Sequence, residues 1–253
     1  MIIRTEHEKN LLYEAGHRLA FILDAVIKKA VDGITEQELD EYTFELITKG
    51  GDTPAFLHYR PSGASIPYPS TLCISVNDRV VHGIPKDYKI KAGDIVSLDV
   101  GLVRQGTIVD MAKTIPVGNI DVSAKKLIET TEGALYRGIE AARSGAHVGD
   151  IGFAINSFVK KSGFAVVCEL GGHGVGKKVH EEPFIPNFGK IGEGVTLADG
   201  MVLAIEPIVN EGTADIALLP DGYTFKTRDG KRSAHFEHTI IVTPRGGEIV
   251  TKA

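Results

Sequence analysis

Tryptophan is absent from this chain of 253 residues, and cysteine nearly so. The two cysteines, Cys73 and Cys168, form no CxxC pair and cannot build a disulfide framework, which fits a reducing compartment. No apolar run approaches the roughly 20 residues a membrane span needs. The first residues, MIIRTEHEKNLLYEAGHR, are charged and lack the apolar core of a signal peptide. Neither sign of charge dominates, the formal net being -5, so a nucleic-acid-binding surface is not suggested and no membrane partner is expected. What remains is a cytoplasmic globular protein, 43% hydrophobic and 24% charged, with ample residues for a core.

The most informative stretch is Ser97-Leu-Asp-Val-Gly-Leu-Val-Arg-Gln-Gly-Thr-Ile-Val-Asp110. Its β-branched and apolar residues read as two strands joined by a tight turn. With Arg104 and Gln105 as the loop, Val103 faces Gly106 and Asp99 faces Asp110, their Cβ atoms roughly 4.5–5.5 Å apart. Two like charges so placed repel, and a divalent cation between them is the economical remedy. A shifted register with both acids on a wet face, paired to Lys or Arg, stays open at this point.

Around that stretch, Leu12, Ala15, Leu19, Ile22 and Val26 recur at spacings of three and four and predict a helix over roughly 7–31, ended by Gly33. Thr35-Glu-Gln-Glu38 is a capping box opening a second helix to about Lys49. Residues 52–70 hold four of the eleven prolines and read as a long loop. Strands follow at 72–76 and through 114–117. Two more helices are expected, one capped by Asp121 or Ser123 and running to about Ala142, the other over about Val148–Lys161. Strands return at 164–168, 201–208, 214–219, 223–227 and 235–242.

Helices then strands, twice over, suggest an internal repeat within a single domain over 1–253, its halves at about 7–118 and 121–251. Gly33, Leu39, Leu46, Ile47, Lys49 and Gly51 match Gly145, Ile151, Phe158, Val159, Lys161 and Gly163 at a constant offset. Gly93–Asp99 aligns with Gly200–Glu206, and Val109-Asp110 with Phe236-Glu237, so a carboxylate recurs at both equivalent places.

His173 lies between small residues in Gly171-Gly-His-Gly-Val-Gly, the best imidazole candidate for a ligand, though alone it reads more simply as a hydrogen-bonded loop histidine. A phosphate-cradling loop is disfavoured because no helix or Lys-Ser/Thr pair follows. Glu206 ends the apolar run Met201–Ile205, so it either escapes to solvent or meets a cation. Glu237 shares a face with His235 and Thr239 by alternation; a salt-bridged surface glutamate is its bland alternative. Taken together, Asp99, Asp110, His173, Glu206 and Glu237 supply four carboxylates and one imidazole, which disfavours a structural Cys/His zinc site. Two divalent ions would balance that charge, and two-metal centres perform hydrolysis.

Cys73-Ile-Ser-Val-Asn-Asp-Arg-Val-Val-His-Gly-Ile-Pro85, Gly93–Val100, Gly172-His-Gly-Val-Gly-Lys-Lys-Val-His-Glu-Glu-Pro183, Ile205-Glu-Pro207 and Ser233-Ala-His-Phe-Glu-His-Thr239 resemble the type I methionine aminopeptidases, over about Leu11 to Thr251. The resemblance implies an α+β "pita-bread" fold of two pseudo-symmetric αβ halves around a curved antiparallel sheet. It implies two divalent ions (Mn, Fe, Co or Zn) and a monovalent cation near the backbone of Asn77, Arg79 and Ser233. Asp99 matches a ligand of the second metal, Asp110 and Glu237 the bridging carboxylates, and His173 and Glu206 ligands of the first. Glu206 also matches the proton acceptor, His180 the histidine at the scissile carbonyl, and His82 the histidine facing the scissile amide. Tyr68, Cys73 and Tyr223 match the methionine pocket, with Tyr59 a further candidate. The implied reaction is removal of the initiator methionine from nascent chains, a metal-bridging hydroxide attacking the first peptide carbonyl. A monomer is expected, with the ribosome as a further partner to consider. The chain departs from the family at Tyr223, where tryptophan is usual, at Val179, where an aromatic is common, at His235, where glutamine is usual, and in extra loop over Arg60–Pro67. The rivals are a proline-directed aminopeptidase or dipeptidase of the same fold and a pita-bread binding protein without catalysis.

Overall fold

The structure, a computed structural model, describes all residues 1–253. Four helices form where the sequence supplies caps. α1 (Glu6–Lys29) and α2 (Glu36–Lys49) each open on a complete capping box, Thr5 with Glu8 and Thr35 with Glu38. α3 (Val122–Ala141) is capped by Asp121, whose carboxylate accepts from Ala124 N at 2.9 Å. α4 (Val148–Lys161) starts where His147 N donates to Asp150 at 2.7 Å. No helix is long and apolar enough to cross a membrane.

The helices back a curved sheet of nine antiparallel strands. Along its main path lie Thr53–Pro54, Ile95–Arg104, Thr107–Pro116, Glu237–Thr243, Val202–Ile205, Gly171–Gly174 and Glu181–Pro186. Leu72–Val76 adds to Ile95–Arg104, and Gly246–Ile249 to Glu237–Thr243. Two apolar cores result. One joins α1 and α2 to Leu72, Leu98, Val100 and Leu102; the other joins α3 and α4 to Leu203, Ile205, Ile240 and Val242.

The opening hairpin differs from the sequence reading. Arg104 pairs with Thr107, so Gln105 and Gly106 form the turn, both at positive φ (48° and 76°). That conformation matches the twist of the flanking strands, and glycine takes its second position at no steric cost. Asp99 therefore faces Ala112 and Asp110 faces Gly101. The two acids are diagonal neighbours on one face, not direct opposites.

Two strands expected to run on are each broken, one at Glu206-Pro207 and one at Phe236. Val202–Ile205 belongs to the large sheet, but after Glu206-Pro207 the chain enters a three-stranded sheet as Ile208–Asn210. Pro207 has no N–H to extend the ladder. Ser233–His235 lies in that small sheet and Glu237–Thr243 in the large one. Conversely, the glycine-rich segment read as loop is sheet. A Cβ on Gly172 would lie 2.3 Å from the Ala204 carbonyl oxygen, and one on Gly174 equally close to that of Glu182. Because backbone cannot move aside as a side chain can, Gly172→Ala should lower unfolding stability by about 1–3 kcal/mol in urea titration.

Candidate metal centre and active site

Five successive strands of the sheet each bring one of the acids or the imidazole. In order across the sheet these are Asp99, Asp110, Glu237, Glu206 at the end of its strand, and His173. The register places them on one face. Asp99 pairs with Ala112, which pairs with Glu237; Thr239 pairs with Ala204, which pairs with His173. Cys73 pairs with Asp99 and joins the same face. Alanines between the acids leave room above the sheet.

Two threonines hold the middle of this face. Thr239 Oγ1 accepts from Asp110 N and donates to Asp110 O, both at 2.8 Å. Thr114 Oγ1 does the same for His235 N and O, also at 2.8 Å. These bonds replace ladder pairing between Thr107–Pro116 and Glu237–Thr243, where regular pairs stop after two.

The electrostatics call for cations. Asp99, Asp110 and Glu237 are all buried. Asp99 Oδ1 and Glu237 Oε1 have no hydrogen-bond partner. Burial, and then the charge of Asp110, hold the Asp99 and Glu237 carboxyls well above the usual carboxylate range. Burial followed by Glu206 raises Asp110 to about 7, and burial raises Glu206 to about 8. His173 Nδ1 lies 2.9 Å from the Gly174 carbonyl oxygen. A carbonyl can only accept, so the proton sits on Nδ1 and the Nε2 lone pair is left 3.5 Å from Glu206 Oε1. Burial, with His180 adding to it, pushes His173 down to about 3, so the ring is neutral. A lone pair aimed at a carboxylate, beside orphaned carboxylate oxygens, is the arrangement a divalent cation satisfies. Asp110, His173 and Glu237 offer atoms close enough to share one ion, as do Glu206, His235 and Glu237.

Without metal the raised carboxyls have a consequence. Their protonated forms favour the folded state, a contribution complete below about pH 4 and lost as pH rises through about 7 and 8. Chelated protein should therefore melt lower at pH 8.5 than at pH 5.5, by roughly 5 °C or more, and metal reloading should erase the difference in a thermal scan.

A pocket opens over the acids. His82, His180, Tyr68, Cys73 and Tyr223 line it together with Asp99, Asp110, His173, Glu206 and Glu237, so the residues expected at the two metals, in catalysis and in the methionine pocket meet there, while Asn77, Arg79 and Ser233 lie outside it. His82 sits in left-handed backbone (φ 55°), an uncommon conformation for a non-glycine residue. Burial, then His180, lowers it to about 4. His180 stands edge-on to His173, ring centroids 4.5 Å apart, and its Nδ1 meets the Tyr59 hydroxyl at 2.9 Å.

The apolar end is walled by Phe56, Tyr59, Pro61, Tyr68, Cys73, Val179 and Tyr223. Tyr68 and Tyr223 meet edge-on at 5.1 Å, and the Tyr223 hydroxyl donates to the Ile66 carbonyl. Tyr68 N to Tyr59 O and His58 N to Tyr68 O, both 2.8 Å, close the base of the extra loop. That loop is thus part of the wall. Phe56 went unnoticed in the sequence because loop residues carry no periodic signal, whereas Pro61 belongs to the loop over Arg60–Pro67 already noted there. Alternation had placed His235 on the face of Glu237, but its approach to Glu206 went unseen, since the strand break at Phe236 turns the chain there.

Residues 10–244 match metallopeptidase family M24. The methionine aminopeptidase of Clostridium perfringens is 45% identical over 99% of this chain and 98% of its own length. Methionine aminopeptidase 1 of Bacillus subtilis is 42% identical over 100% and 99%. Among solved structures, the methionine aminopeptidase of Thermotoga maritima superposes with a TM-score of 0.93 at 42% identity, covering both chains in full. The prolidase of Pyrococcus furiosus superposes at 0.76, covering all of this chain and 66% of its own; at 24% identity that likeness shows the shared pita-bread fold alone.

Proposed function

The chain belongs to the methionine aminopeptidases of metallopeptidase family M24, and on that basis we propose that it removes the initiator methionine from nascent polypeptides by metal-dependent hydrolysis. The observation that carries this reading is the row of four carboxylates and one imidazole on five successive strands, facing a pocket with an apolar end.

Membership in a metallopeptidase family implies divalent metal ions. In this reading Asp99, Asp110, His173, Glu206 and Glu237 would hold two, with Asp110 and Glu237 the residues that would serve both. Such a pair, when bound, polarises the scissile carbonyl and activates water. The chain's own residues do the rest. Glu206 accepts the proton of the attacking water through its carboxylate. His180 donates from Nε2 to the carbonyl oxygen as negative charge develops there. His82 faces the scissile amide and helps orient it. The methionine side chain enters the space between Tyr68, Cys73 and Tyr223, with the loop over Arg60–Pro67 closing it. The charged α-amino end lies over the acids near Asp99. A monovalent cation belongs to the same reading, held by main-chain oxygens around Asn77, Arg79 and Ser233; Ser233 N donates to Asn77 O at 2.8 Å and so brings two of these segments together. The protein would act as a cytoplasmic monomer on chains emerging from the ribosome.

Hydrolysis of Met-Ala-Ser and of Ala-Pro, measured after chelation and again after reloading with Mn, Fe, Co or Zn, tests this. Cleavage of Met-Ala-Ser alone, restored by metal, is expected. Cleavage of Ala-Pro instead would assign the chain to the proline-directed enzymes. Neither activity, with no metal retained, would make it a binding protein.

A further inference from the structure

His235 Nε2 is a buried polar atom without a hydrogen-bond partner, and the roles assigned above leave it unused. The ring is 2% exposed and its backbone is fixed at both N and O by Thr114. Nε2 lies 3.3 Å from Glu206 Oε2 and 3.9 Å from Glu237 Oε2. The other oxygen of Glu206, Oε1, lies 3.5 Å from His173 Nε2. Glu206 therefore stands between two imidazoles, one to each oxygen. The two rings are not equivalent. His173 is committed by its Nδ1 contact with the Gly174 carbonyl, so its Nε2 is an acceptor and a ligand. His235 has no such main-chain partner on Nδ1, so its proton is free to sit on Nε2, where a carboxylate oxygen is in reach. A buried carboxylate oxygen and a buried ring nitrogen at 3.3 Å are costly if both are bare and favourable if one N–H lies between them.

We propose that His235 is a positioning residue for the metal centre: its Nε2–H donates to Glu206 Oε2, which turns Oε1 toward His173 and reserves it for the ion. This rests on Glu206 being a ligand, as proposed above. A ligating carboxylate held by a neighbouring donor keeps one orientation, and loss of such donors typically costs 10–100-fold in metal affinity. It also gives the departure from the family's usual glutamine a physical meaning, since an amide and this imidazole tautomer both offer one N–H at the same place.

The test has two arms. In the zinc-loaded full chain labelled with ¹⁵N-histidine, His235 should appear by NMR as the neutral Nε2–H tautomer; the Nδ1–H tautomer would overturn the proposal. Dissociation constants for Mn(II) and Zn(II), measured by chelator competition, should stay within about 3-fold of native in His235→Gln and weaken by about 10–100-fold in His235→Leu. Native affinity in His235→Leu would overturn it. So would a loss in His235→Gln as large as in His235→Leu, because the imidazole nitrogen would then itself be a ligand. If His235→Leu does not fold, the tautomer and the glutamine variant decide. Failure of the metal centre as a whole would show differently, as native metal affinity in Asp110→Ala.

Discussion

Replacing Glu237 by alanine should abolish peptide hydrolysis and strip the protein of its metal. Glu237 is 2% exposed, at the middle of the five-strand face, in the row that begins with Asp99. Glu237 Oε1 has no hydrogen-bond partner, and in the proposed centre Glu237 serves both ions, so its removal would take both sites. Asp110→Ala should behave alike. The counterpart is a gain in the metal-free state. Burial, and after it the charges of Asp110, Glu206 and Asp99, make an ionised Glu237 costly without metal, so removing that charge relieves the site. Glu237→Gln keeps the shape and loses the charge; at pH 8 it should melt above the chelated native protein while being inactive. Metal content by atomic spectroscopy, turnover of Met-Ala-Ser and a thermal scan read the three effects on one sample. Native metal content in Glu237→Ala would remove Glu237 from the centre, whatever became of the activity.

The helices were legible because their signals are local. Thr35 and Glu38 mark the start of α2 within four residues, and both capping bonds form. The five site residues were legible for a different reason: each breaks the local rule of its segment, a carboxylate in an apolar run or an imidazole among glycines. Their meeting could only be inferred, since Asp110 and Thr239 are far apart in sequence and are joined by a hydrogen bond no local pattern encodes. The hairpin shows how a wrong detail can leave an inference standing. Moving the turn from Arg104-Gln105 to Gln105-Gly106 moves the partner of Asp99 by two residues, from Asp110 to Ala112. Side chains alternate with a period of two, so both acids keep their face. A slip of the pairing by one residue would have separated them. The breaks at Glu206-Pro207 and at Phe236 lay beyond reach except for the proline itself, and the contact of His235 with Glu206 was hidden with them. The extra loop was visible only as length; its docking on Tyr223 through the Ile66 carbonyl is tertiary.

His180→Ala should lower kcat on the order of 10²–10³-fold while leaving metal content unchanged. The two expectations come from one geometry. The role proposed for His180 is toward the substrate carbonyl and not toward the ions, and its Nδ1 is taken by the Tyr59 hydroxyl, so metal content should not depend on it. Its ring does stand against His173, the proposed ligand, at 4.5 Å between centroids, and lines the pocket proposed to take the scissile carbonyl. Burial holds it below the ordinary histidine range, so at neutral pH it works as a neutral donor. The proposed role sets the direction of the Tyr59 contact, because a hydroxyl can donate or accept: for Nε2 to face the substrate as donor, Nδ1 must accept. When its hydroxyl donates to Nδ1 at 2.9 Å, the ring proton is left on Nε2, toward the substrate. Tyr59→Phe should then lower kcat by less than His180→Ala does, with KM for Met-Ala-Ser little changed, because the donor remains but its tautomer is no longer fixed. Combining the two substitutions should cost no more than His180→Ala alone, since Tyr59 acts on the carbonyl only through that ring. Steady-state kinetics of the three variants against the native enzyme, with metal content assayed alongside, decide the matter. Additive losses in the double variant would mean that Tyr59 serves the pocket and not the histidine, and full turnover in His180→Ala would mean that the developing charge is met by the ions alone.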